Sequence, residues 1–161
     1  MKKIKRALIS ISNKKNLKNV LTVLKKYKIE IISSGGTYKK IKKLGFNSTE
    51  IGEYTNFPEI LGGRVKTLHP KIHAGILSKR ENKVHRKELL SKNFNEIDLV
   101  IVNFYPFENF IKQSSNLKKI IENIDIGGPT MVRSAAKNYN DVTIITSSTQ
   151  YDELINELEK N

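Results

Sequence analysis

The ten residues from Leu61 to Pro70, LGGRVKTLHP, hold paired glycines, two cations, a hydroxyl and a His-Pro step, and follow neither a helical nor a strand period. Gly62-Gly63 lets the backbone turn sharply or approach a ligand closely. Arg64 and Lys66 then offer a planar fork and a point charge two residues apart. By itself such a stretch is either a solvated basic loop or a loop that grips an anion. Two others sharpen the choice. Ser10-Ile11-Ser12-Asn13-Lys14 and Ser34-Gly35-Gly36-Thr37 each put hydroxyls and backbone N–H groups where a helix is about to start, which is where phosphate is favoured. Neither is a Walker loop or a dinucleotide fingerprint, and each alone could be a helix cap. Both together, with Lys14, suit a single phosphate group.

Other residues have an everyday reading beside a chemical one. Asp125, ahead of Gly127-Gly128, is a helix cap or a polar group presented to a ligand. Lys137, in Arg133-Ser134-Ala135-Ala136-Lys137-Asn138, stands near a helix end, where residue type alone suggests interaction with the dipole. Asp98 reads as a lead-in to a strand. His69 and His73 are four apart, a spacing that on a helix would suit a metal; no acidic ligand neighbours them and Pro70 intervenes, so no metal is expected.

The elements that must position these groups alternate. Ile4 to Ile11 reads as a strand, followed by a helix with Leu17, Val20, Leu21 and Leu24 on one stripe. Ile29 to Ile32 is a second strand, and the helix after it buries Ile41 and Leu44 and stops at Gly45. Asn47 to Ile51 reads as a third strand closed by Gly52, and Ile72 to Leu77 as a strand or buried loop. Glu81 to Lys92 suits a polar surface helix. Leu99-Val100-Ile101-Val102, apolar throughout, suits a central parallel strand and empties into Asn103-Phe104-Tyr105-Pro106. Leu117 to Ile121 is helical, and Pro129 suits the first position of a helix through Lys137. Val142 to Ile145 and Tyr151 to Leu158 are a last strand and helix. The alternation predicts one α/β domain over 1–161, a three-layer, mostly parallel sheet with helices on both faces. In such a sheet the loops at Ser12–Lys14, Ser34–Thr37 and Asn103–Tyr105 share the carboxyl rim, where ligands bind.

The net charge of +13 is unevenly placed: residues 1–45 hold 14 Lys and Arg against Glu30 alone, and the rest of the chain sums to zero. Many of these lysines fall at the outer positions of two helices, and Tyr27 and Tyr38 are the only aromatics among them, which argues against nucleic acid. With no cysteine the chain has no disulfide or thiolate-bound metal and suits a reducing cytoplasm. The apolar run from Ala7 to Ile11 is too short for a signal peptide or membrane span.

The loops in their order are more specific than any one of them. Ser10 to Lys14, Ser34 to Thr37, Gly62 to Pro70, His73-Ala74-Gly75-Ile76-Leu77, Asn103-Phe104-Tyr105-Pro106-Phe107, Ile124-Asp125-Ile126-Gly127-Gly128 and Arg133 to Asn138 resemble, over essentially the whole chain, the IMP cyclohydrolase (inosinicase) module of bifunctional purine biosynthesis proteins. The resemblance implies a methylglyoxal-synthase-like fold, closure of 5-formamidoimidazole-4-carboxamide ribotide to IMP with loss of water, no cofactor, a homodimer, and a covalently linked formyltransferase domain. It assigns the 5′-phosphate to Ser12, Lys14, Ser34, Gly36 and Thr37. Ser10, Arg64, Val65, Lys66, Thr67, Asn103, Phe104, Asp125, Ile126 and Gly127 match positions around ribose and base. Lys66, Tyr105, Asp125 and Lys137 match the catalytic set, with Lys137 expected to transfer the proton and Lys66 to act as electrophile.

Asn13 departs from the family's usual Asp, losing a charge but keeping capping ability. The family's formyltransferase domain is absent from these residues, so formyl transfer is not expected of them. A regulatory nucleotide-binding module of the same fold, such as the allosteric domain of carbamoyl-phosphate synthetase, is the main rival; it would leave Lys66, Tyr105, Asp125 and Lys137 unexplained together. Methylglyoxal synthase is a second, against which the Gly62 to Pro70 stretch argues.

Overall fold

The structure is a computed structural model that describes residues 3–104, 107–113 and 116–160. Strands β1 (Arg6–Ile11), β2 (Glu30–Ser33), β3 (Thr49–Glu50), β4 (Leu99–Asn103) and β5 (Thr143–Ile145) form one parallel sheet in the order β3-β2-β1-β4-β5. Helices α1 (Leu17–Lys26), α2 (Gly35–Lys43), α3 (Ile51–Thr55), α4 (Pro70–Leu77), α5 (Lys83–Ser91), α6 (Phe107–Gln113), α7 (Leu117–Glu122) and α8 (Gly127–Lys137) run between the strands, and α9 (Tyr151–Glu159) follows β5. The two most apolar runs, β1 and β4, pair at the centre with Ala7 opposite Leu99 and Ile11 opposite Asn103. Only a strand covered on both faces can be apolar throughout.

The period-2 alternation of the strands splits the core into two layers. Ala7, Ile9, Ile11, Leu99 and Ile101 pack on α1 (Leu17, Val20, Leu21, Leu24) and on α9 (Tyr151, Leu154, Leu158). Leu8, Val100 and Val102 pack on α4 (Ile72, Ile76) and α8 (Met131, Ala135). Each fully buried aliphatic side chain here stabilises the fold by about 1.5–3 kcal/mol. The three-layer expectation therefore holds, and of the lysines expected on the outer helix faces Lys15, Lys18, Lys25, Lys26, Lys39, Lys42 and Lys43 are exposed while Lys40 is half-buried. No helix among the described residues is long and apolar enough to cross a membrane.

Local expectations differ in places. Ile72 to Leu77 is neither strand nor loop but helix α4, because His69 Nδ1 accepts the Lys71 N–H at 3.1 Å and Pro70 occupies the first turn. The third strand shrinks to Thr49–Glu50, and Gly52 opens α3 instead of closing the strand: the Glu50 carboxylate takes the Gly52 N–H at 2.7 Å and starts a turn. Helix α8 begins two residues before Pro129, capped by Asp125 Oδ1 accepting the Gly128 N–H at 2.8 Å. Helix α6 has no counterpart in the sequence reading. Asp98 does more than lead into β4. Its carboxylate accepts the Lys5 and Arg6 N–H groups at 2.8 and 3.1 Å and pairs with Arg80 at 3.4 Å, tying β1 and β4 to the chain after α4.

Candidate functional site

β1 is followed in the sheet by β2 on one side and by β4 on the other, so the crossovers part between β1 and β4. That switch point leaves a crevice at the carboxyl ends of the strands. A cleft of about 720 Å³ opens there, lined by Ser10, Ser12, Lys14, Ser34, Gly36, Thr37, Arg64, Val65, Lys66, Thr67, Asn103, Asp125, Ile126 and Gly127. Fourteen residues singled out from five distant parts of the sequence thus face one space. Phe104 stands at its edge, where its carbonyl accepts the Ser12 hydroxyl at 2.8 Å. Tyr105 lies outside the described residues.

The wall formed by the sheet is cross-braced. Asn103 Oδ1, at the end of β4, accepts the Ser12 and Asn13 N–H groups at 2.7 and 2.9 Å, and its Nδ2 donates to the Asn13 carbonyl at 2.9 Å. The loop after β1 is thereby fixed by one side chain from the neighbouring strand. Thr37, buried in the first turn of α2, both accepts from the Ile11 N–H and donates to the Ile11 carbonyl at 3.0 Å. Ser10 and Ser34 share a hydrogen bond at 3.2 Å across β1 and β2. Lys14 Nζ folds back onto the Ile11 and Ser12 carbonyls at 3.3 and 3.1 Å.

Two ammonium groups converge on the start of α2. A Cβ on Gly35 would sit 3.5 Å from Lys66 Nζ and one on Gly36 4.0 Å from Lys14 Nζ, ordinary contact distances that show how near both cations come, while the φ of +46° at Gly35 is what favours glycine there. The first N–H groups of a helix have no internal partner. Two cations, those N–H groups and the hydroxyls of Ser10, Ser12 and Ser34 give this end of the cleft the chemistry to hold a dianion.

The opposite wall is a strap. Leu61–Gly63 forms a single 3-10 turn, with Gly62 and Gly63 at φ +64° and +88°, and delivers Arg64 to Thr67 into the cleft. Arg64 pairs side-on with Glu122 at the end of α7, Nε donating to Oε1 at 2.9 Å and Nη2 to Oε2. Hydrogen bonding to Arg64 holds the Glu122 carboxyl below its usual range. Lys66 Nζ lies 3.5 Å from Glu59. Thr67 is buried against the start of α8, so close that a Cβ on Gly127 would collide with its hydroxyl. Ile121, Ile124, Ile126 and Met131 make this side apolar enough for a flat ring.

Lys137 is not brought to the cleft. It ends α8, whose first residue lines the cleft, and ten residues of helix put the two roughly 15 Å apart. Its exposed side chain lines a separate depression of about 380 Å³ with Lys79, Glu81, Asn140 and Asp141. Its neighbour Asn138 is buried and donates to the Ile76 and Ser78 carbonyls at 2.8 and 3.0 Å, which docks the end of α8 on α4. His69 caps α4, and His73 Nδ1 lies 3.0 Å from Ser134 Oγ on α8; burial pushes the His73 ring down from its usual range, partly offset by the Thr67 carbonyl. The sequence reading did not assign Glu122, Ile121, Ile124 and Met131 to the cleft, nor Glu59 to the pairing of Lys66 beside it. The apolar spacing of α7 hinted at Ile121 and the motif from Ile124 to Gly128 at Ile124, whereas the acids carry no local signal at all.

A parallel three-layer sheet whose crossover loops converge on one cationic cleft places the chain among the α/β domains that work at a switch point. More narrowly, the family described as MGS-like domain matches residues 16–130, and the chain belongs to it. It is 49% identical over 157 residues to the bifunctional purine biosynthesis protein PurH of Clostridium acetobutylicum, covering 98% of this chain and 32% of that protein. The PurH of Clostridium botulinum is 48% identical over 158 residues with the same coverage. The chain thus spans about a third of the length of the curated relatives it matches. Among solved structures, the crystal structure of ForH superimposes with a TM-score of 0.85 at 30% identity, over 97% of this chain and 79% of that one.

Proposed function

We propose that this chain is an IMP cyclohydrolase, closing the formamido ribotide to IMP. What carries the reading is the convergence of Ser12–Lys14, Ser34–Thr37, Arg64–Thr67, Asn103 and Asp125–Gly127 on one cleft in a chain 49% identical to PurH across nearly its whole length. In the reaction the carboxamide nitrogen attacks the formyl carbon and a C–N bond forms. The formyl oxygen then leaves as water, carrying one hydrogen from the carboxamide nitrogen and one from the formamido nitrogen. An amide is a poor nucleophile, so the site must hold both groups in near-attack geometry, move a proton and stabilise an oxyanion.

The 5′-phosphate would sit at the start of α2, on Lys14 and the hydroxyls of Ser12 and Ser34. The ring would lie against Val65, Ile126 and Met131. Lys66 would stabilise the oxyanion and Asp125, exposed at the cleft wall, would move the proton. Tyr105 and Lys137 complete the catalytic set that the resemblance assigns. Since Lys137 stands at the far end of α8, Asp125 takes precedence for proton transfer within one chain. A soluble homodimer in the cytoplasm, and a formyltransferase domain in the longer relatives, belong to the same reading.

A spectroscopic cyclisation assay on the formamido ribotide tests it. Turnover by the wild type is expected, Asp125→Asn should lose about 100-fold or more of kcat, and Lys137→Met should lose far less. Tight binding of IMP without any turnover would make the chain a binding module instead.

A further inference from the structure

The Arg64–Glu122 pair joins residues 58 apart in sequence across the mouth of the cleft, and both partners line it. Its geometry is side-on: Glu122 takes the Nε and Nη2 edge of the guanidinium with both carboxylate oxygens. An arginine has five N–H donors in a rigid plane, so a carboxylate on one edge dictates where the remaining donors point. Lys66 and Glu59 form a looser contrast, a single contact at 3.5 Å between a rotating ammonium and one oxygen, which fixes no direction. Helix α7 buries none of its residues, so this pair is its main polar tie to the strap.

We infer that Glu122 is a positioning residue for the reaction proposed above, holding the Arg64 guanidinium edge-on over the cleft so that its free edge meets the substrate. Resting on that reading, the inference adds a carboxylate that the substrate does not touch. Charge favours a pair that persists when ligand binds. Were Arg64 to leave Glu122 for the nucleotide, a bare carboxylate would remain on the wall of a cleft that has just admitted a phosphate. Kept together, the two are neutral, and the guanidinium still has donors to give. Because both side chains are more than half exposed, the pair adds little to folding, and its effect should fall on binding geometry.

The test is a cycle of Glu122→Gln, Arg64→Ala and the double variant, read by steady-state cyclisation and by calorimetric binding of IMP, with circular dichroism confirming the fold. Glu122→Gln should raise KM and weaken IMP by about fivefold, with kcat within about twofold. In the Arg64→Ala background it should change neither. Unchanged or tighter IMP binding in Glu122→Gln overturns the inference, as does an equal loss with and without Arg64, which would mark Glu122 as acting independently. If the wild type binds IMP but does not cyclise the ribotide, the proposed reaction falls while the calorimetric cycle still decides the role of Glu122. A wild type that binds no purine monophosphate overturns both.

Discussion

The two walls of the cleft are held by different kinds of interaction. On the sheet side, Asn103, Thr37, Ser10 and Ser34 join strand ends and loop backbone through partly buried hydrogen bonds between neutral groups. On the strap side only Thr67 is anchored by burial, while the side chains that face the cleft, Arg64 and Lys66, are held by ion pairs to Glu122 and Glu59, and α7 contributes no buried residue. Buried neutral hydrogen bonds set one geometry and are costly to leave unmade, whereas exposed ion pairs are weak and screened by salt. The half proposed to hold the phosphate is therefore built before ligand arrives, and the half proposed to meet the reacting ring is adjustable.

That division is broken most severely by removing chemistry from the adjustable wall. Lys66→Met should lower kcat by about 100-fold or more, with some loss of binding because its ammonium also reaches the start of α2. Lys14→Met, on the rigid wall, should instead raise KM roughly 10- to 100-fold and leave kcat almost unchanged, since phosphate is held alike in ground and transition states. Steady-state cyclisation by the two variants separates them. If Lys14→Met lowered kcat as much as Lys66→Met, the two walls would not divide binding from chemistry.

Asn103→Ala attacks the bracing itself. Four hydrogen bonds to the Ser12–Asn13 loop are lost with one side chain, at a cost of about 1–3 kcal/mol where the freed groups stay dry. Chemical denaturation should show that loss, and KM should rise with it. On the strap side, Glu122→Gln should show almost none in denaturation, although it removes a charged pair. Equal losses of stability would erase the distinction.

How much of this was legible beforehand follows from the kinds of contact involved. The strands, α1, α2 and α9 announce themselves because burial on a fixed period is written locally, as in Leu17, Val20, Leu21 and Leu24. The cleft's membership was legible because its loops leave strand ends, and strand order then brings them together. Helix α4 was not, since Ile72 to Leu77 is too short and too β-branched for periodicity to outweigh propensity, and its cap is an imidazole. The distance from Lys137 to the cleft depends on α8 running unbroken along the sheet, which no residue type near Lys137 reveals. Glu122 and Glu59 needed the folded chain to bring them to the cations.

A smaller effect concerns His73 of α4, whose Nδ1 lies 3.0 Å from Ser134 Oγ on α8. Its ring is held below the ordinary histidine value by burial, so on acidification the unfolded chain takes up the proton first. Stability should therefore fall as pH drops through the ordinary value of 6.5 toward the lower folded-state value. His73→Gln should flatten that slope in thermal unfolding between neutral and mildly acidic pH. An unchanged slope would mean that other groups set it.

The smallest effect is expected from the lysines of α2, and its smallness is informative. Gly35 and Gly36 open this helix at the rigid wall, yet Lys39, Lys42 and Lys43 are exposed one to two turns further on, roughly 6 to 12 Å along the axis. At physiological salt that is about one Debye length, so these charges can attract an anionic substrate from solution but cannot hold it once bound. Replacing all three with Gln should leave kcat unchanged and lower kcat/KM by less than about twofold at 0.15 M salt, with a somewhat larger loss at low salt. Duplex RNA should bind the wild type only weakly, with an affinity that collapses as salt rises, because the charges form a solvated helix face without interleaved aromatics. Steady-state cyclisation at two ionic strengths, beside a filter-binding titration with duplex RNA, checks both. A tenfold loss of turnover in a folded triple variant would mean that the sheet-side wall extends well beyond the first turn of α2, and that the phosphate is gripped by side chains assigned here to solvent.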